Sequence, residues 1–239
     1  MARGLKIADL AFLGRVGNQF GPGSYAGLEM WLKADSLNLA DGTLVGDPGT
    51  IWTDQTVNGH DATESGAPPN PTFETNEVGT MPIVRFDSLQ EMLDFPVVTL
   101  AGDFTIILVN KTNVGADTIW MGHDADNDQI RRNVAGNNLN YFDGTAFLTS
   151  SAFGSASNLL HVATVRRSGT TVSFRENKTA RGTGVGSATV RLNTLCNNNF
   201  LGSGRGDLAE LLVYSQHRSD AEVDALYDNY LKLRWTTLP

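Results

Sequence analysis

The stretch GDLAELLVYSQHRSDAEVDALYDNYLKLRW, residues 206–235, decides the fold. Its first part, LAELLVY at 208–214, has the length and apolar character of a buried β-strand. Ser219 then supplies an N-cap residue, and Glu222 three positions later completes a capping box. The residues that follow recur at helical spacing and form one apolar stripe: Val223, Leu226, Tyr227, Tyr230 and Leu231. The segment therefore predicts one α-helix over residues 219–235, which buries its stripe against a strand-rich domain.

Upstream of this helix, residues 27–217 have the pattern of many short strands. The run DFTIILVN at 103–110 is the most apolar, which is typical of a central strand covered on both faces. Turn dipeptides separate the apolar runs: Asp41-Gly42, Asn58-Gly59, Asp143-Gly144 and Ser168-Gly169. Many short strands without long helices between them predict an all-β sandwich.

Five segments together resemble the concanavalin A-like lectin/glucanase superfamily, in its laminin-G-like branch. They are GLEMWLKADSL (27–37), IWTDQTVNGHDAT (51–63), PIVRFDS (82–88), FRENKTARGTG (174–184) and FLGSGRGDLAELLVYSQHRSDAEVDALYDNYLKLRW (200–235). The resemblance covers residues 27–235 and implies a two-sheet antiparallel jelly-roll β-sandwich with one C-terminal α-helix. The sequence departs from the family pattern at Asn177-Lys178, because relatives often have Gly where this chain has Lys178.

The sequence divides into two parts. Residues 1–26 carry an apolar set that fits neither the helical nor the strand period and end in the breaker run Gly21-Pro22-Gly23. We expect an N-terminal leader or anchoring arm over residues 1–26. The laminin-G-like sandwich with its C-terminal helix then occupies residues 27–239.

Composition excludes several classes of function. The net charge of −8, without a dense Lys/Arg stripe, argues against nucleic-acid binding. The pairs Arg131-Arg132 and Arg166-Arg167 are expected at solvated strand ends. No apolar run approaches membrane-spanning length, so no membrane insertion is expected. The single cysteine, Cys196, excludes an intrachain disulfide and is expected to be a small buried residue.

The resemblance also bears on catalysis. Glucanases of this superfamily place two carboxylates on one strand in an E-x-D-x-E arrangement, and this sequence contains no such motif. H-E-x-x-H, G-x-S-x-G and P-loop motifs are absent as well. The sequence therefore predicts a protein that is not an enzyme.

Two ligand sites are candidates. Aromatic faces with nearby amides suit sugars, which points to Trp120, Asn138, Asn140 and Tyr141; the alternative for the aromatic residues is core packing. Asp124, Asp126 and Asp128 alternate along one loop, and carboxylate oxygens suit Ca²⁺. Laminin-G-like relatives often bind Ca²⁺ at a sandwich rim, whereas the alternative here is a solvated acidic loop.

Three functions follow as hypotheses. The first is a non-catalytic structural or adhesion protein of a bacteriophage virion (capsid decoration, collar or fibre), assembled in the host cytoplasm. It would be a homo-oligomer, and a trimer is our guess. It would contact other virion proteins through residues 1–26, and it would bind a surface glycan. The second is a free carbohydrate-binding module, which would be extracellular. The third is a glucan hydrolase.

Overall fold

The computed structural model describes residues 21–66, 70–88, 91–112, 118–133, 136–154, 159–196 and 205–239. These residues form two antiparallel β-sheets packed face to face, with one helical segment at the C-terminus. The predicted two-sheet jelly-roll β-sandwich with one C-terminal helix is confirmed.

The first sheet has nine strands among the described residues, in the order β14-β13-β12-β7-β16-β5-β4-β2, with β1 also paired to β16. Its strands are β1 (Leu28–Lys33), β2 (Thr43–Leu44), β4 (Thr72–Val78), β5 (Met81–Phe86), β7 (Phe104–Thr112), β12 (His161–Ser168), β13 (Thr171–Glu176), β14 (Thr179–Val185) and β16 (Gly206–Tyr214).

The second sheet has seven strands in the same described ranges, in the order β11-β10-β9-β8-β15-β6-β3. Its strands are β3 (Thr63–Glu64), β6 (Leu93–Leu100), β8 (Thr118–Gly122), β9 (Gln129–Asn133), β10 (Asn138–Phe142), β11 (Phe147–Thr149) and β15 (Val190–Leu195).

The central strand β7 shows how the layers are built. Ile106 and Leu108 point into the core between the two sheets, whereas Ile107 and Val109 point to the opposite face of the first sheet. All four side chains are at most 1% exposed. A strand buried on both faces must be apolar at every position, because successive side chains alternate between faces. This explains the four consecutive apolar residues at 106–109, inside the run at 103–110.

The helical segment covers the outer face of the first sheet. It consists of α1 (Asp220–Leu226), a π-helical turn (Tyr227–Leu231) and α2 (Lys232–Arg234). The predicted capping box is present: the Ser219 side chain accepts from the Glu222 N–H, and the Glu222 side chain accepts from the Ser219 N–H. Leu226 and Leu231 are fully buried, and burial of each such side chain contributes about 1.5–3 kcal/mol.

The end of the predicted leader also packs on the sandwich. Pro22 is buried, and its carbonyl accepts from the Tyr214 hydroxyl at 3.2 Å. Tyr25 packs against the cluster under the helix, and Arg218 donates to the Ala26 carbonyl. Residues 1–20 of the expected leader lie outside the described residues.

Two backbone positions explain local sequence choices. Asn177 adopts a φ of +52° in the turn between β13 and β14, a left-handed conformation that asparagine tolerates. Gly206 lies where any Cβ would stand 2.5 Å from the Trp120 ring, so a larger residue does not fit there.

Cys196 is free and fully buried, and burial raises the pKa of its thiol well above the ordinary value. Across the described ranges, no helix has both the length and the apolar character needed to traverse a bilayer.

Candidate ligand-binding face

The outer face of the first sheet is covered by the helical segment and by residues from both ends of the described part of the chain. The outer face of the second sheet lies on the opposite side of the sandwich. On β10, side chains of Leu139 and Tyr141 point into the inter-sheet core, so alternation directs Asn138, Asn140 and Phe142 outward.

The structure separates the four predicted ligand-binding residues into two groups. Trp120 and Tyr141 are 0% exposed and belong to the inter-sheet core. Tyr141 packs against Phe104 with ring centroids 6.0 Å apart, and burial is the main cause that raises its pKa. Neither ring presents a face to solvent, so the expected stacking of a sugar on them does not fit their placement.

The two predicted amides lie on the outer face. Asn140 is opposite Arg131 of β9 and Thr149 of β11. Asn140 is only 2% exposed, yet its Oδ1 atom has no hydrogen-bond partner among the described residues. The Oδ1 atom of Asn138, two positions earlier on the same face, is likewise buried without a partner. Two acceptor atoms of this face are therefore unsatisfied, which is costly for buried polar groups.

Two aromatic side chains accompany the amides. Phe142 of β10 and Phe147 of β11 are directly opposite in the register, with ring centroids 6.2 Å apart. The Phe147 side chain is 51% exposed. Arg131 places its guanidinium carbon 5.4 Å from the centre of the Phe147 ring. We call the surface formed by Arg131, Asn138, Asn140, Phe142 and Phe147 the amide–aromatic face.

Sequence reasoning missed Arg131 and Phe147. Phe147 lies beyond the Asp143-Gly144 turn, where the Asp143 carboxylate accepts from the Thr145 and Ala146 N–H groups. That turn sets the register that brings Phe147 opposite Phe142. The hairpin signal Asp143-Gly144 could have identified this pair.

The expectation of solvated arginine pairs is wrong for three of the four residues. Arg132 is 0%, Arg167 1% and Arg166 6% exposed. Arg167 donates to the carbonyl groups of Leu100, Gly102 and Ala188, which satisfies its guanidinium inside the sandwich. Buried arginine is stable only when its donors find such acceptors.

Arg132 lies against His161, which is also fully buried. The Leu159 carbonyl is 3.0 Å from Nδ1 of His161 and can only accept, so Nδ1 carries the hydrogen. Nε2 then accepts from Arg132 at 3.4 Å. Burial, followed by repulsion from Arg132, lowers the pKa of His161 to about 4.

The three carboxylates expected to bind Ca²⁺ make separate contacts. Asp124 accepts from the Asn193 amide at 2.8 Å, and Asp128 accepts from the Arg191 N–H at 2.7 Å. Asp126 forms an ion pair with the Arg191 side chain. No group of three or more His, Cys, Asp or Glu side chains that could hold a metal ion occurs within the described ranges. Calcium binding stays a prediction that these contacts do not support.

Carboxylates of the second sheet are dispersed as well. Its described strands carry two, Glu64 of β3 and Asp94 of β6. Asp94 is opposite Thr63, so alternation points Asp94 and Glu64 to opposite faces. A retaining glycosidase needs its two carboxyl groups about 5–5.5 Å apart on one face.

No protein-family profile matches this chain, and no curated protein sequence matches it. Solved structures do match. Domain 4 of AbnA, an extracellular arabinanase from Geobacillus stearothermophilus in complex with arabinotriose, matches with a TM-score of 0.63 and 14% identity. The match covers 84% of this chain and 98% of that domain.

Two longer proteins match over part of their length. Trypanosoma rangeli sialidase in complex with the inhibitor DANA matches with a TM-score of 0.56 and 10% identity, over 92% of this chain and 37% of the sialidase. The binding domain of paraclostridial mosquitocidal protein 1 matches with a TM-score of 0.57 and 13% identity, over 85% of this chain and 52% of that domain. At such identities the likeness shows the fold alone, a two-sheet β-sandwich.

Proposed function

We propose that this chain is a non-catalytic adhesion domain that binds glycans on the amide–aromatic face. The observation that carries the proposal is the half-exposed ring of Phe147 next to the unsatisfied Asn140 amide. Sugars present C–H faces that stack on aromatic rings, and their hydroxyl groups donate to amide oxygens. The face offers both kinds of contact within one hairpin.

The layers of the sandwich favour this location. The outer face of the first sheet is already occupied by Leu226, Leu231 and Trp235, which are at most 1% exposed. A ligand that used that sheet would have to displace the helix and its apolar stripe. In the part of the chain that the structure describes, the helical segment packs on the first sheet, so a ligand on the outer face of the second sheet would displace no described helix.

The absence of catalysis is part of the proposal. Glu64 and Asp94, the carboxylates on the described strands of the second sheet, point to opposite faces and do not form an acid–nucleophile pair. A glucan hydrolase, the third hypothesis, would be supported by turnover of β-glucans. We expect none.

Two matched structures are compatible with a binding role. The arabinanase domain is in complex with arabinotriose, and the mosquitocidal protein segment is described as a binding domain. Because one fold supports many functions, these neighbours are analogies, and the argument depends on the residues of the face itself.

We place the domain in a bacteriophage virion, as a capsid-decoration, collar or fibre protein, with a free carbohydrate-binding module as the alternative. The buried, unpaired thiol of Cys196 suits a protein that folds in a reducing cytoplasm. The expected arm, residues 1–26, would anchor a homo-oligomer to the particle. Deletion of residues 1–20, the part of the arm outside the described residues, is expected to abolish incorporation into particles while the sandwich stays folded, and incorporation of the truncated chain would contradict the anchoring role.

The test of glycan binding is a glycan array probed with the full chain, once with Ca²⁺ and once with a chelator. We expect hits in both conditions, because no calcium ligand belongs to the amide–aromatic face. An array without hits in either condition would overturn the proposed function.

A further inference from the structure

Arg131 differs from Arg191, another arginine of the second sheet, in its electrostatic partners. Arg191 of β15 forms an ion pair with Asp126. Arg131 has no carboxylate within ion-pair distance among the described residues; its recorded contact is the ring of Phe147. Its Nε atom is buried and also lacks a hydrogen-bond partner there. A guanidinium on an acidic protein is thus left without an anion.

The register places this cation among unsatisfied acceptors. Arg131 is directly opposite Ile119 on one side and Asn140 on the other, and both are uncharged. To reach the Phe147 ring on β11, the Arg131 side chain extends across β10, the strand that carries Asn138 and Asn140. The guanidinium donors and the Asn138 and Asn140 amide oxygens therefore share one surface.

These groups define the chemistry of a complementary ligand. A guanidinium binds a carboxylate through two parallel N–H···O bonds, which is stronger and more directional than a neutral contact. The amide oxygens accept from hydroxyl groups, and the Phe147 face stacks on a pyranose ring. A ligand that satisfies all three is a sugar that carries both hydroxyl groups and a carboxylate.

Net charge limits how many anionic groups the ligand carries. The chain has a net charge of −8, so a densely charged polyanion is repelled by the protein as a whole. A single carboxylate can pair closely with Arg131, and the net negative charge of the protein repels it much less than it repels a polyanion. A ligand that complements this face is thus an acidic sugar with isolated charges.

We propose that the amide–aromatic face binds a carboxylated pyranose, with Arg131 as the contact for the carboxylate. This inference rests on the proposed glycan-binding function and specifies its ligand class. Uronic and sialic acids share the chemistry, so both are tested, each against a neutral counterpart. The probes are galacturonate and sialyllactose, each paired with its own neutral methyl ester.

Calorimetric titration of the full chain with each probe tests the proposal. We expect at least one carboxylated probe to bind about tenfold or more tightly than its neutral counterpart, since hydrogen bonds to charged groups are strong. Arg131→Gln should abolish this preference and Arg131→Lys should retain part of it. Arg191→Gln is the matched control, because it removes the same charge from the same sheet, two strands away, and should leave the preference unchanged.

Thermal melting of each variant excludes loss of the fold as the cause. The inference is overturned if neither carboxylated probe binds, if each binds no better than its neutral counterpart, or if Arg131→Gln keeps the preference. In any of these cases, hits with neutral sugars on the array would leave the proposed function standing. An array without hits would remove both.

Discussion

The indole N–H of Trp235 donates a hydrogen bond of 2.8 Å to Oε2 of Glu210, which joins the end of the helical segment to the central strand β16. Oε1 of the same carboxylate accepts from the Trp31 indole and the Tyr230 hydroxyl, each at 2.7 Å. Arg234 adds a charge contact at 3.3 Å. One fully buried carboxylate thus connects β1, β16 and the helix.

Replacing this carboxylate should destabilise the sandwich. In Glu210→Gln an amide NH2 replaces one of the two accepting oxygens, so it faces donors either from Trp31 and Tyr230 or from Trp235 and Arg234, and Arg234 loses the opposing charge. We expect the free energy of unfolding to fall by roughly 3–5 kcal/mol, as it does when one partner of a buried ion pair is removed. Urea denaturation measures it. Glu64→Gln, at an exposed position, should change stability by less than about 0.5 kcal/mol. A loss below about 1 kcal/mol for Glu210→Gln would contradict the role assigned to this residue.

Buried His161 should make stability depend on pH. Its pKa is about 4 in the folded protein and about 6.5 when unfolded, so between these values the unfolded chain binds more protons. The stabilisation is complete above pH 6.5 and falls as pH drops toward 4, by on the order of 3 kcal/mol.

Urea denaturation at a series of pH values tests this, with His161→Gln as the variant. That variant should lose most of the decline between pH 6.5 and 4, whereas His60→Gln, at a half-exposed position, should keep it. An unchanged decline in His161→Gln would show that the buried imidazole is not its source.

Gly206 should tolerate no side chain. A Cβ there would stand 2.5 Å from the Trp120 ring and 2.8 Å from the Lys111 carbonyl oxygen, so Gly206→Ala must displace the core or the backbone. We expect a loss of about 1–3 kcal/mol, measured by thermal denaturation. The matched control is Gly102→Ala, where no atom lies within 4 Å of the new Cβ. Equal melting temperatures for the two variants would contradict the packing described for Trp120.

Phe147 should contribute to binding and little to stability. Its side chain is 51% exposed, so Phe147→Ala is expected to change the unfolding free energy by less than about 1 kcal/mol. Loss of the ring should weaken glycan binding about tenfold, consistent with the energy of an aromatic contact. Val185→Ala, an exposed apolar change on the first sheet, should leave the affinity unchanged. Full affinity in Phe147→Ala would remove the amide–aromatic face as the binding surface.

Local signals in the sequence predicted several elements of the fold. The apolar run predicted as a central strand at 103–110 is strand β7 (Phe104–Thr112), and the capping box at Ser219 begins the helix as expected. Helical periodicity does not predict the π-helical turn at Tyr227–Leu231, because such a turn contains one residue more than an α-helical turn. This turn includes Tyr230, whose hydroxyl donates to Glu210.

The binding residues were harder to predict. Strand alternation alone shows that Tyr141 cannot share a face with Asn138 and Asn140, so the predicted set was inconsistent with its own strand. Alternation does not say which face is outward, since Tyr141 and Phe142 are both aromatic. That choice depends on the packing of the second sheet against the first, which no local pattern encodes. The burial of Arg132 likewise depends on distant contacts such as His161.

The most direct test of glycan binding on the amide–aromatic face is the glycan array, probed in parallel with the wild-type chain and with Phe147→Ala. The account predicts glycan hits for the wild-type chain, with and without Ca²⁺, that are lost or strongly weakened in the variant. Equal hits for both proteins would place the binding surface elsewhere. No hits for the wild-type chain would contradict the central claim.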